Sequence, residues 1–247
     1  MRKSSLFRRA WALALAAGSA ALPAAACPPQ GPLVALDAGH SPASPGATSA
    51  RGRPEYGFNI ALARRVQTAL AGAGFRTVLV NAEARAMKPA ERAYAAQRAG
   101  ADLLVSLHHD SVQPRYLDRW THEGRSLAYS DRFAGYSLFV SARNGAAEGS
   151  ARLGWLLGGE LTARGLTPTL HHAEAIPGEN RPLLEPRLGL YRFDDLLVLK
   201  SAPMPAVLVE AGVIVHRAEE ERLAAPARQD QVAEAIVAAV QRYCGPK

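Results

Sequence analysis

The sequence predicts an α/β fold: a mostly parallel, twisted sheet sandwiched between helices in a single domain. Three observations predict it. Short apolar runs alternate with longer amphipathic segments, proline and glycine punctuate those segments, and no internal repeat or linker divides the chain after its first 26 residues.

The first run, 33–36, is a short strand. Segment 55–73 carries apolar residues at 58, 62, 66, 69 and 70, near helical spacing; Pro54 suits its first turn, and Gly72 and Gly74 end it. "RTVLV" (76–80) is a second strand, and "KPAERAYAAQRAG" (88–100) is a helix opened by proline and closed by glycine. "LLVSL" (103–107) and "GYSLFVS" (135–141) are the third and fourth strands, and 149–165 is another amphipathic helix. "LLVLK" (196–200) and "AVLVE" (206–210) read as strands around a "SAPMP" turn, before a closing helix at 229–243. Two polar stretches, 111–134 and 167–189, exceed the usual connection length and are expected to form lids or rims around a site.

The chain has 247 residues, 48% of them hydrophobic, enough for one sizeable core. Its first 26 residues read as a secretory signal. Arg2, Lys3, Arg8 and Arg9 precede the short apolar run "AWALALAAGSAAL", and "PAAAC" supplies small residues before Cys27. The expected domains are therefore a signal peptide over 1–26 and a catalytic domain over 27–247, in an exported, periplasmic or envelope protein without a stable membrane span. Loss of those four charges lowers the formal net charge from +7 to +3. That modest charge, with no basic run interleaved with aromatics, argues against nucleic acid as a partner. The two cysteines, Cys27 and Cys244, lie at opposite ends of the mature chain. In an oxidising compartment they can pair, closing a loop worth roughly 4–5 kcal/mol in the chain-entropy model. The rival reading is a lipidated Cys27, weakened by Ala24 three residues before it.

In open α/β sheets, ligands gather beyond the carboxyl ends of the strands. Four residues able to bind metal or move protons fall there: His40 after the first strand, Glu55 in the first helical turn, His108 after "LLVSL", and Glu210 ending "AVLVE". Two imidazoles and a carboxylate make a normal zinc shell with a fourth position open, and a second carboxylate can then carry the proton of hydrolysis. Singly, each has a plainer reading: a surface histidine, a helix-dipole carboxylate or a strand-end acid. Their shared sheet edge is what gives them force.

Here the sequence resembles a family. "VALDAGHSPASPGATSARGRPEYGFN", "DLLVSLHHDS" and "MPAVLVEAGVIVHRAEEERL" are similar to the three signature blocks of the zinc-dependent N-acetylmuramoyl-L-alanine amidases, in the right order, with the likeness running from about Leu33 to Tyr243. The resemblance implies one zinc ion held by His40, Glu55 and His108, a catalytic Glu210, and peptidoglycan as the partner, cut between muramic acid and the first stem alanine. An activator protein is left open. "HHD" makes His109 a rival ligand; a strand alternates faces, and the alignment selects His108. Asp37 and Asp110 are expected either as partners of the ligand imidazoles or as loop caps. "VIVH" departs from the family pattern and is expected to reshape the substrate groove. The short link "ARNGAAEGS" leaves no room for the plugging helix of some larger relatives. His171, His172 and Glu174 in "HHAEAIPGEN" form a second metal site, a cap on the first one, or a polar lid. Two other readings fit the residues less well: a different zinc hydrolase such as a peptidase or deacetylase, and a non-catalytic wall-binding protein. The latter should have lost one of the four key residues.

Overall fold

The computed structural model describes residues 27–245; the signal peptide expected over 1–26 lies outside the described residues. The chain runs β1 (Leu33–Ala38), α1 (Glu55–Gly72), β2 (Arg76–Val80), α2 (Pro89–Arg98) and β3 (Leu103–Asp110). A hairpin of β4 (Asp118–His122) and β5 (Arg125–Tyr129) follows, then β6 (Ser137–Val140) and α3 (Ala147–Ala163). The remainder is β7 (Leu183–Glu185), β8 (Leu190–Arg192), α4 (Leu197–Lys200), β9 (Ala206–Val213), α5 (Arg217–Ala224) and α6 (Pro226–Cys244).

Seven strands form one sheet in the order β2-β1-β3-β9-β6-β8-β7. The four from β2 to β9 are parallel; β6 turns antiparallel to β9, β8 runs parallel to β6, and β7 closes the edge antiparallel to β8. Alternation of side chains splits the core into two layers. Val34, Leu36, Leu103, Val105, Leu107, Val207 and Val209 pack on one side with α1, α3 and α6. Ala35, Leu104, Ala206 and Leu208 face the other side, where α2 and α4 contribute Ala93, Ala96, Val198 and Leu199. The same period carries Asp37, Ser106, His108 and Glu210 to the second face.

Residues 196–200 are not a strand as their apolar run predicts. They form the helical turn α4, which buries Val198 and Leu199. A short apolar run has no decisive period, and both neighbours of β9 are already taken, by β3 and β6. The two long polar stretches also hold more structure than expected. The first contains the β4–β5 hairpin and the second β7, while α5 precedes α6 as a separate helix. Cys27 and Cys244 are joined by a disulfide, with Cα atoms 5.2 Å apart, tying the entry of the chain to the end of α6.

Candidate metal centre

His40 leaves β1 in a left-handed conformation, φ 67°, a region that costs an ordinary residue roughly 1–2 kcal/mol and that histidine tolerates better than bulky residues. The turn brings its Nε2 to 3.1 Å from Glu55 Oε2. Glu55 stands at the first position of α1, and His108 Nδ1 lies 3.1 Å from its other oxygen, Oε1. The three donor atoms lie within 4.8 Å of one another. Two glycines make the convergence possible. A Cβ on Gly39 would sit 2.2 Å from the His108 ring, and one on Gly46, at φ 78°, would sit 2.3 Å from Glu55 Oε2.

Burial by itself raises the pKa of Glu55. Hydrogen bonds to His108 and His40, and their charges, reverse this and hold it well below the usual carboxylate range. Two imidazoles and a carboxylate are a zinc-type donor set. Their 3.1 Å separations are close to the edge of a tetrahedron with bonds of about 2.0 Å, roughly 3.3 Å. The residues fit such an ion.

Glu210 of β9 is the register partner of His108 on β3 and of Ser137 on β6, on the same face of the sheet. Its Oε2 is buried without a hydrogen-bond partner, as is Ser137 Oγ. Burial first, then the like charges of Asp110 and Glu55, raise the pKa of Glu210 well above the ordinary carboxylate value. A cleft of about 780 Å³ opens beside His40 and His108, walled by Met87, Leu197 and Val198.

The family described as "N-acetylmuramoyl-L-alanine amidase" matches residues 34–242, which include all four of these residues. This chain belongs to that amidase family. It is 24% identical over 234 residues to the amidase AmiC of Neisseria meningitidis serogroup B, covering 86% of this chain and 52% of AmiC. It is also 24% identical over 234 residues to AmiA of Escherichia coli K12, covering 85% of this chain and 75% of AmiA. The chain thus spans about half the length of the Neisseria relative. Its fold is similar to that of the amidase Ami1 from Mycobacterium smegmatis, with a TM-score of 0.67 and 23% identity over 87% of this chain and 97% of that one. The catalytic domain of CwlV from Bacillus (Paenibacillus) polymyxa var. colistinus gives a TM-score of 0.66 at 23% identity, over 87% and 99% of the two chains.

Within this amidase-family site, His108 and His109 take opposite faces of β3. His109 is buried beneath α1, its Nδ1 2.7 Å from Asn59 Oδ1 and its ring tilted against Phe58. Burial pushes its pKa down to about 3, with Glu55 opposing and His108 assisting. Its ring stays neutral and turned away from the cluster, while its backbone N–H donates to Glu55 Oε1 at 3.3 Å. Asn59, one turn along α1, is a residue that sequence reasoning missed. Its Nδ2 donates to Glu55 Oε1 at 3.0 Å and to Gly39 O at 3.1 Å, while its Oδ1 meets His109. The only signal was its place four residues after Glu55, on the same helical face.

Asp37 and Asp110 do not meet the imidazoles of His40 and His108. Asp37 accepts from Arg92 Nη1 and Ser106 Oγ, both at 2.7 Å. It is buried between strands, so its nearest partners are those on its own sheet face. Arg92, also missed in the sequence, extends from α2 to donate to Ala38 O and His40 O as well, clamping the loop that carries His40. Asp110 instead faces the histidines of the second long stretch. His172 Nε2 lies 2.7 Å and His171 Nε2 3.3 Å from Asp110 Oδ2. Glu174 is not part of this cluster; it lies 3.8 Å from Arg132. Glu179 takes its place, with Oε2 2.9 Å from His172 Nδ1. Burial disfavours a charged His172, yet the charges and hydrogen bonds of Asp110 and Glu179 outweigh it and push its pKa up to about 9. Burial pushes Asp110 up, but the charges and hydrogen bonds of His172 and His171 outweigh it and hold its pKa down to about 2. His216 of "VIVH" does not enter the groove: its Nδ1 accepts from Ala218 N and Glu219 N, capping α5.

Proposed function

We propose that this protein is an exported, zinc-dependent N-acetylmuramoyl-L-alanine amidase that hydrolyses the bond between N-acetylmuramic acid and L-alanine in peptidoglycan. One observation carries the reading: His40, Glu55 and His108 converge while Glu210 stands beside His108 on the next strand. All four fall within the matched family region.

In this reading His40, Glu55 and His108 would hold the zinc ion, beside the cleft that His40 and His108 line. Zinc, when bound, supplies a Lewis acid that polarises an amide carbonyl and acidifies water. Glu210 then takes a proton from the attacking water and returns it to the departing amide nitrogen. Its place beside His108 on the next strand, with Oε2 free of any hydrogen-bond partner, suits that work. Asn59 and Ala47 N hold Glu55 from behind, so that both its oxygens face the histidines. Arg92 holds the backbone at His40.

The leader over 1–26 supports export, and a disulfide between Cys27 and Cys244 fits an oxidising envelope compartment. Among the described residues no helix is long and apolar enough to cross a membrane. Partner regulation is a further element of the reading; a relative, the CwlD amidase of Clostridioides difficile, is described in complex with the GerS lipoprotein.

The test is digestion of purified sacculi by the mature chain, with released ends identified by mass spectrometry. Free stem peptides with an N-terminal alanine, and glycan strands with unsubstituted lactyl groups, are the expected products. Cleavage only inside the stem would make the enzyme a peptidase, and released acetate would make it a deacetylase.

A further inference from the structure

Two histidines, a carboxylate and their outer partners form a second cluster beyond the catalytic trio. His171 and His172 come from a one-turn segment in the 167–189 stretch, and Asp110 from the end of β3. The imidazole centroids are 4.0 Å apart, and the inward Nε2 atoms of both rings lie within 3.3 Å of the same oxygen, Asp110 Oδ2. The outward nitrogens are engaged elsewhere. His172 Nδ1 is 2.9 Å from Glu179 Oε2, and His171 Nδ1 is 2.9 Å from Thr169 Oγ1. Glu179 is in turn held by Gln113 Nε2 at 2.7 Å.

This is the wiring of metal-ligating histidines: one ring nitrogen is fixed by a hydrogen-bond acceptor, so the other presents a lone pair inward. A proton shared between His172 and Asp110 accounts for part of the cluster. It leaves His171 unexplained. His171 is 2% exposed, and its Nε2 is buried without a hydrogen-bond partner, close to Asp110 Oδ2 but not aligned with it. A cation among the three atoms satisfies His171, His172 and Asp110 together.

We propose that Asp110, His171 and His172 form a second binding site for a zinc-class divalent cation, which fastens the 167–189 stretch to the end of β3. Imidazole and carboxylate donors favour zinc among the divalent metals that meet such a set. The 3.3 Å separation of His171 already matches the edge of a zinc tetrahedron, about 3.3 Å. His172, at 2.7 Å, has to move outward by about 0.6 Å to reach that edge. The two rings pack against Phe133 and against Phe139 of β6.

The experiment loads the mature chain with zinc sulfate, removes excess metal by gel filtration and measures zinc per chain by elemental analysis. Two equivalents are expected. A His40→Ala/His108→Ala variant, checked for folding by circular dichroism, should keep one equivalent, and adding His171→Gln and His172→Gln should remove it. No zinc left in the His40→Ala/His108→Ala variant would overturn the proposal. As a second measurement, the metal-stripped wild-type chain and a His171→Gln/His172→Gln variant are titrated with cobalt(II). Visible absorption that saturates one equivalent lower in the variant supports the second site, and the same saturation point in both overturns it. The metal count is independent of the sacculus digestion, so failure of either reading is recognised without the other.

Discussion

Asn59 serves three partners with one amide, joining the Gly39 carbonyl, Glu55 and His109. Asn59→Ala leaves the buried His109 nitrogen without a partner and removes one of the donors that orient Glu55. A loss of about 1–3 kcal/mol follows from the unpaired buried group, and zinc affinity should fall roughly 10–100-fold, as for other residues that orient ligands. Denaturant unfolding and competition with a metal chelator measure the two effects separately. Unchanged metal affinity in a destabilised variant would make Asn59 purely structural. Glu210 is a different kind of residue, because the proposed mechanism gives it the proton and not the metal. Glu210→Gln preserves shape and cannot carry the proton, so it should fold, bind zinc normally and lose roughly 10²–10⁴-fold in turnover. Near-normal turnover with zinc in place would move the acid–base role elsewhere.

The elements deliver these residues through two devices, strand register and rim loops. β3 and β9 pair in parallel with His108 opposite Glu210, so a one-residue slip would turn one of them to the α1 face. The irregularity between His108 and Asp110 lets the strand end bend towards the second cluster. Gln113 Nε2 to Glu179 Oε1, 2.7 Å, links the start of one long polar stretch to the other. Gln113→Ala removes that link while leaving both core layers intact. The expected outcome is faster limited proteolysis near 174–181, with the melting temperature nearly unchanged. A matching drop in melting temperature would show that the stretch unfolds only with the domain.

At the scale of the whole molecule, the disulfide is the longest-range constraint, joining residues 217 positions apart. Chain entropy assigns such a closure about 5 kcal/mol. In a domain of this size each kcal/mol moves the melting temperature by about 2–4 °C, so reduction should lower it by on the order of 10 °C or more. Thermal melts with and without reductant, at equal metal loading, check this. No shift would mean that α6 and the first strand are held by packing alone.

Some features were legible in the sequence because they depend on local order. Alternating apolar runs and amphipathic segments fix an α/β sandwich, and a histidine or glutamate at the end of a strand must lie on the carboxyl edge of the sheet. His40, Glu55, His108 and Glu210 could therefore be named before any contact was known. Residues 196–200 could not be placed, because a five-residue apolar run suits a strand or a buried turn equally; occupied neighbours of β9 decided the matter. Asn59, Arg92 and Glu179 were equally hidden. Their partners lie 4 to 66 positions away, and nothing in a polar residue's immediate sequence says which buried group it will meet. Asp37 and Asp110 show the same limit from the other side. Their chemistry was visible, but their partners were chosen by which side chains the packed layers brought within 3 Å.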